Sequence, residues 1–350
     1  MPHSHFPDSA VSPRVSVIIP SYNHGRFLRE RVDSILSQTY GDFEIILLDD
    51  ASTDDTAAVL REYAGHPRIR FVIRQSNSGS VFKQWNAGVA MAQGQYVWIA
   101  ESDDCADVRF LETLVPILDR HPQVGLVKCK SVYIDENGRP ITGPSEVPSS
   151  RDWSRDFLME GQEDCRLQLT HGTSIANASA VLFRRQLYLD AGWADESYRM
   201  CADWLQWAKM MLRADFAYVA QPLNYYRCHV NTVRQKCMHN IVHDAEDLRV
   251  CAYLLSQVSV SSEVISELCD RMVERWLNHS LRRVRIKGSL TYDLQILRIL
   301  RRIDPRYARR IAAHATCRIL TRMGLRRLIP RRQAGHEEPR PGASSVKNAQ

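Results

Sequence analysis

The sequence lacks a long apolar run. No stretch approaches the about 18 consecutive apolar residues that a membrane-spanning helix needs, so no such helix is expected. The opening MPHSHFPDSAVSPR has no apolar core of a secretory signal and reads as a short disordered leader, residues 1–13. Of the nine cysteines, no two form a Cys-x-x-Cys pair. Clustered spacing is what a structural zinc site requires, so none is expected. The odd count and irregular spacing read as reduced cytosolic thiols, several of them buried. No internal repeat is evident.

What is present suits a globular protein. The apolar share is 44% and the charged share 25%, ordinary values for such a chain. At 350 residues it has room for one large α/β domain and an appendage. The net charge of +6 is unevenly placed. Between Leu281 and Arg332 sixteen Lys or Arg stand against two acids, Asp293 and Asp304. Arg282, Arg283, Arg285, Lys287, Arg301, Arg302, Arg309, Arg310, Arg326 and Arg327 belong to this segment. Its excess suits an anionic membrane surface or a solvated helical face. No recognisable nucleic-acid module accompanies it.

From residue 15 to 133 the hydrophobic period alternates. Compact apolar runs at Val15–Ile19, Phe43–Leu48, Ile69–Ile73 and Tyr96–Ile99 predict buried strands. Helical spacing predicts helices at Arg26–Gln38, from a Ser52 or Thr53 cap to about Tyr63, at Val81–Ala92 and at Val108–Leu118. Val124–Ile134 is extended again, and Asp135–Gly138 is a hairpin tip. Residues 140–152 read as a loop, and from about Asn240 the pattern is helical. This alternation predicts a Rossmann-like, mostly parallel sheet flanked by helices, followed by a helical C-terminal extension. Ligands of such sheets bind at the carboxyl ends of the strands.

Acidic residues gather at those ends. Asp49-Asp50 follows one strand, and Glu101-Ser-Asp103-Asp104 follows another. Asp203 opens the amphipathic run from Trp204. A strand-end Asp can simply cap a helix or close a turn. Two acidic clusters in one βα array are instead suited to a divalent cation, Mn²⁺ or Mg²⁺, which relieves their repulsion and accepts phosphate oxygens. Such an ion neutralises a departing diphosphate.

The motifs Val15-Ser-Val-Ile-Ile-Pro20-Ser-Tyr22-Asn23, Asp49-Asp50-Ala-Ser-Thr-Asp54 and Glu101-Ser-Asp103-Asp104 together resemble the family 2 glycosyltransferases, which have the GT-A fold. The resemblance spans residues 14–235, with a nucleotide-binding half to about 134 and an acceptor half beyond. Beyond it the pattern reads as a helical basic extension at 236–332 and a polar, disordered tail at 333–350. The resemblance implies that Pro20, Tyr22, Asp49 and Asp50 face the nucleotide base, that Asp103 meets the ribose, and that Asp103, Asp104 and Glu101 hold the metal. By the same resemblance Asp203 is the general base of an inverting transfer. The segment Leu223-Asn-Tyr-Tyr-Arg227-Cys-His229-Val-Asn-Thr232 closes over the diphosphate, with His229 reaching the metal. Lys83 is a diphosphate or base contact, or a solvated helix lysine. Asn177-Ala-Ser179 faces the acceptor or packs tightly. Trp193, Trp204 and Trp207 offer a sugar-stacking face or fill the core.

Two positions depart from the family pattern. Glu101 stands where the family usually has Asp, and Ala202 where many members have a second acid. Desolvation beside Trp204 would then be what raises the basicity of Asp203.

The expected activity is metal-dependent transfer of a sugar from a nucleotide-sugar donor to a surface-glycan or lipid-linked acceptor. The expected location is the cytoplasm or the inner face of a membrane. A sugar-phosphate nucleotidyltransferase should open with a glycine-rich loop after its first strand, and Pro20-Ser-Tyr-Asn-His-Gly25 is not one. A non-catalytic glycan-binding protein on the same fold is the rival of another class.

Overall fold

The computed structural model describes residues 12–144, 146, 151–229, 241–281 and 289–322. The expected tail, nearly all of the leader, and Arg282, Arg283, Arg285, Lys287, Arg326 and Arg327 lie outside the described residues.

The chain begins as strand–helix repeats: β1 (Val15–Ser21), α1 (Gly25–Leu36), β2 (Phe43–Asp49), α2 (Thr56–Glu62), β3 (Ile69–Ile73), α3 (Val81–Met91) and β4 (Tyr96–Ile99). There follow β5 (Cys105–Ala106), α4 (Phe110–Arg120), β6 (Val124–Ile134), β7 (Phe157–Met159) and α5 (Gly161–His171). A short 3-10 turn at Ala178–Ala180 leads into β8 (Val181–Arg184), α6 (Arg185–Asp190), α7 (Ala202–Met211) and β9 (Asp215–Arg227). Four helices close the described chain: α8 (Ile241–Gln257), α9 (Ser262–Leu281), α10 (Ser289–Ile303) and α11 (Tyr307–Arg322).

Among the described residues one nine-stranded sheet holds all the strands, in the order β3-β2-β1-β4-β8-β6-β9-β5, with β7 also on β9. The β3-β2-β1-β4 half is parallel throughout. β8 enters antiparallel between β4 and β6, and β6 and β9 again run parallel. The acidic segments therefore emerge on one edge, where β2 and β4 end.

Side-chain alternation along β1 explains the layering. Val15, Val17 and Ile19 pack with Leu28, Val32 and Ile35 of α1 on one face. Ile18 points to the other, against Trp85 and Val89 of α3. Successive strand residues must face opposite sides of a sheet, so a continuous apolar run needs helices on both. Gly88 brings α3 close: a Cβ there would lie 2.4 Å from Cγ2 of Ile18.

The helix after β2 starts later than the sequence suggested. Ser52 and Thr53 do not cap it. The Ser52 hydroxyl accepts the Asn23 N–H at 2.8 Å and donates to Asp49 at 2.5 Å, while the Thr53 N–H donates to Asn23 Oδ1 at 2.8 Å. Asp54, just before the helix, takes its first N–H instead. Its carboxylate accepts the Thr56 N–H at 3.0 Å and the Gly25 N–H at 2.9 Å, joining the first turns of α1 and α2.

The C-terminal helices pack onto the same core. Leu248, Cys251 and Leu254 of α8, and Leu268, Met272 and Val273 of α9, are buried in one cluster with Trp207, Met210 and Met211 of α7. Among the described residues no helix is long and apolar enough to cross a membrane. The eight described cysteines are free thiols, and Cys129, Cys165, Cys201, Cys251 and Cys269 are buried.

Candidate active site

Two loops build the side expected to face the nucleotide. After β1 the chain turns through Tyr22, which is 43% exposed, while Pro20 is buried within the strand. Asn23 takes a left-handed backbone, φ 56°, and so does Ala51 beyond β2, φ 60°. Such conformations cost non-glycine residues of the order of 1 kcal/mol each and persist only where neighbours enforce them. Here the enforcement is mutual, through the Asn23–Ser52 and Asn23–Thr53 bonds.

Asp49 and Asp50 are both buried and both engaged by serines. Asp49 accepts from the Ser52 hydroxyl. Asp50 accepts the Ser78 N–H at 3.0 Å and its hydroxyl at 2.7 Å, with Arg74 Nε at 3.6 Å. Lys83 Nζ donates to the Ser78 carbonyl at 3.3 Å, so it lies against the same turn. The pair thus shapes the loops at this end of the sheet, beside the exposed ring of Tyr22.

The group after β4 separates into three roles. Asp103 Oδ2 lies 3.0 Å from Nε2 of His229. His24, from the β1–α1 loop, joins them: one ligand atom from each of His24, Asp103 and His229 falls within 4.8 Å of the others. Nδ1 of His24 is 2.8 Å from the hydroxyl of buried Ser102, which orients the ring. Phe27 packs on both imidazoles, with centroids at 6.3 Å and 5.0 Å. Burial pulls the His24 pKa below its usual value, which favours the neutral, ligating form. Burial opposes ionisation of Asp103, but the His229 hydrogen bond and its electrostatic contact with the two imidazoles hold its carboxyl below the usual range.

Asp104 and Glu101 point elsewhere. Asp104 accepts the Arg227 N–H at 2.8 Å and Asn177 Nδ2 at 2.9 Å. Glu101 accepts the indole N–H of Trp85 at 2.9 Å, and its own N–H donates to Ser179 at 3.0 Å. Burial, then the Asp103 charge, pushes Glu101 up to about 8 and Asp104 up to about 6. Burial thereby favours the protonated form of Glu101. Asn177 and Ser179 brace this acidic loop.

Two arginines offset the carboxylates. Arg227 donates to the Asp103 carbonyl at 2.8 Å and to Glu30 at 2.6 Å. Arg31 is fully buried, its guanidinium 5.0 Å over the Trp98 ring and without a hydrogen-bond partner among the described residues. Burial lowers its pKa, while the nearby charges of Asp104 and Asp103 favour its cation.

Asp203 lies in the first turn of α7 and accepts the Trp204 N–H at 2.7 Å. Trp204 is buried, with its indole N–H on Gln168 at 2.6 Å. One turn on, Trp207 packs against Trp85 at 5.7 Å, and Trp85 holds Glu101. Helix α7 is thus tied to the acidic loop. Trp204 and Trp207 belong to the core, whereas Trp193 is 45% exposed.

His24 and Arg31 were missed from the sequence. The Pro20–Gly25 loop gave no sign that His24 would meet residues about eighty and two hundred positions away. For Arg31 a signal existed: it falls on the helix face of Leu28, Val32 and Ile35.

Residues 16–190 match the model of the family described as "Glycosyl transferase family 2". The putative glycosyltransferase EpsE of Bacillus subtilis is 35% identical over 170 residues, 48% of this chain and 58% of EpsE. The chain thus spans a little over half of that relative's length. Residues 1–349 of Staphylococcus aureus TarS, solved with UDP-GlcNAc, superpose with TM-score 0.66 at 17% identity, covering 89% of each chain. The mannosyltransferase PcManGT of Pyrobaculum calidifontis, solved with GDP-Man and Mn²⁺, gives TM-score 0.53 at 19% identity, covering 92% of this chain and 91% of that one. Those two likenesses establish the fold. With half of the chain matched by the family model, the protein belongs to glycosyltransferase family 2.

Proposed function

We propose that this chain transfers a sugar from a nucleoside-diphosphate sugar to a hydroxyl of a glycan or lipid-linked acceptor, with inversion at the anomeric carbon. The observation that carries the reading is the meeting of His24, Asp103 and His229 at the carboxyl edge of the parallel strands. Two imidazoles and one carboxylate suit Mn²⁺ better than Mg²⁺, because Mg²⁺ prefers an all-oxygen shell. Those three residues would hold the ion, which when bound supplies charge to stabilise a departing diphosphate. Tyr22 offers a face to the base, the Asp49 and Asp50 loops shape its surroundings, and Lys83 adds a cation beside the Ser78 turn. Asp203 accepts the proton of the acceptor hydroxyl as its oxygen attacks. That both solved relatives carry nucleotide sugars supports the donor class.

The test is donor binding and turnover. Purified protein with Mn²⁺ should bind and slowly hydrolyse at least one of UDP-GlcNAc, UDP-glucose, UDP-galactose and GDP-mannose. If none of these binds or turns over, the enzymatic reading fails and a non-catalytic glycan-binding role replaces it.

The outer helices support a lipid-facing role. On α10, Leu290 and Leu294 are exposed, 75% and 51%, and Arg298, Arg301 and Arg302 follow along the helix. Exposed leucines beside arginines suit the interface of an anionic membrane. Vesicles containing phosphatidylserine should retain the protein at low salt. Equal retention after truncation at residue 280 would remove this role.

A further inference from the structure

A buried carboxylate outside the acidic cluster holds the approach to Asp203. Glu246, on α8, is 3% exposed. Its Oε1 accepts the backbone N–H of Arg199 at 2.8 Å, and its Oε2 accepts those of Met200 at 2.8 Å and Cys201 at 3.0 Å. These three residues lead directly into α7, whose first turn carries Asp203. Cys201 then accepts the Leu205 N–H at 3.0 Å, starting the helix. One carboxylate from a distant helix therefore fixes the backbone on which α7 begins. Negative charge is also favoured at that end of a helix.

The same helix grips the loop one turn further on. Arg249 stacks on Tyr198, 3.8 Å to the ring centroid, donates to the Ser197 hydroxyl at 3.2 Å and lies 3.8 Å from Asp195. Helix α8 is itself braced from behind. Arg275 of α9 binds Asp244 at 2.8 Å and also pairs with Asp247, so both acids flanking Glu246 have a cationic partner. The clamp comes from the C-terminal helices, beyond the residues matched by the family model.

We propose that Glu246 is a positioning residue for sugar transfer, through which the C-terminal helices set the backbone of residues 199–201 and hence the aim of Asp203. The proposal rests on Asp203 being the base. Hydrogen bonds to an ionised acceptor are the stronger kind, and a misplacement of about 1 Å in a reacting group can cost roughly a hundredfold in rate.

The experiment uses the full chain with Mn²⁺ and whichever of the four nucleotide sugars the wild type turns over. Glu246→Ala, Glu246→Gln and Asp203→Asn are compared. Glu246→Ala should lower kcat about tenfold to a hundredfold, leave donor KM and UDP or GDP affinity within about twofold, and speed amide exchange at residues 199–201. Glu246→Gln, which keeps oxygen acceptance but loses charge, should fall between. An unchanged kcat in Glu246→Ala, with Asp203→Asn inactive, overturns the positioning role and leaves the base intact. Loss of nucleotide affinity in step with kcat also overturns it, since the fault is then general. Retained turnover in Asp203→Asn removes the base, and this proposal with it. Should Glu246→Ala not fold, Glu246→Gln decides by the same criteria.

Discussion

Nε2 of His229 lies 3.0 Å from Oδ2 of Asp103, although 126 positions separate them. The strand that ends at Arg227 delivers the histidine, and the loop after β4 delivers the acid. His24 arrives from a third loop. An N₂O set of this kind predicts a measurable preference for Mn²⁺. Mn²⁺ titration followed by electron paramagnetic resonance should show His24→Ala weakening the ion by about tenfold or more, comparable to the loss of a ligand-orienting group. Unchanged Mn²⁺ affinity would remove His24 from the set.

Glu101 makes a second prediction, with a defined sign. Its carboxyl is raised from 4.5 to about 8, chiefly by burial and then by Asp103. The folded protein keeps this proton at pH values where the unfolded chain has lost it. Stability from this group is therefore full below about pH 4.5 and declines as pH rises toward 8. Glu101→Gln imitates the protonated acid and can still accept from the Trp85 indole. Urea melts from pH 5 to 8 should show a shallower decline for the variant. Nucleotide binding should persist in it, because Glu101 faces Trp85. A variant that tracks the wild type across the whole range would refute the raised pKa.

The parallel half of the sheet was legible because buried strands leave continuous apolar runs, as in Val15–Ile19. The acidic loop was legible because β4 ends abruptly in Glu101-Ser-Asp103-Asp104. Long-range partnerships were not. Glu246 binds backbone N–H groups, which every residue possesses, so nothing in 199–201 announces its partner. Helix starts were misjudged for a related reason. Ser52 and Thr53 have capping side chains, but bonds to Asn23 and Asp49 claimed them, and Asp54 accepts the first N–H of the helix instead.

That transfer gives a stability prediction. Asp54 accepts from the first turns of both α1 and α2. Burial opposes its ionisation, but the bonds from Thr56 and Gly25 hold its carboxyl below the usual range. Its stabilisation is therefore present above about pH 4 and lost as pH falls through the depressed folded value. Asp54→Ala should cost about 1 kcal/mol at pH 7, comparable to a lost helix cap, and the difference from wild type should shrink in acid. Chemical denaturation at pH 7 and pH 3 measures both. A constant difference would mean that the carboxylate charge contributes nothing.

Gly88 tests the packing that supports the site. A Cβ at this position would meet Cγ2 of Ile18 at 2.4 Å and its Cγ1 and Cδ1 at 3.1 Å. Ile18 is fully buried in β1, two residues before Pro20, and its β-branched side chain has little freedom to turn away. Overpacking of this kind costs about 1–3 kcal/mol. Gly88→Ala should therefore lower the denaturation midpoint clearly, despite the better helix propensity of alanine. Ile18→Ala opens space against the new methyl, so the double variant should be less destabilised than the sum of the two single changes. Strict additivity would mean that α3 shifts on the sheet rather than pressing on Ile18. The β1 loop carrying Tyr22 and His24 would then be insensitive to this contact, and nucleotide affinity in Gly88→Ala would match the wild type.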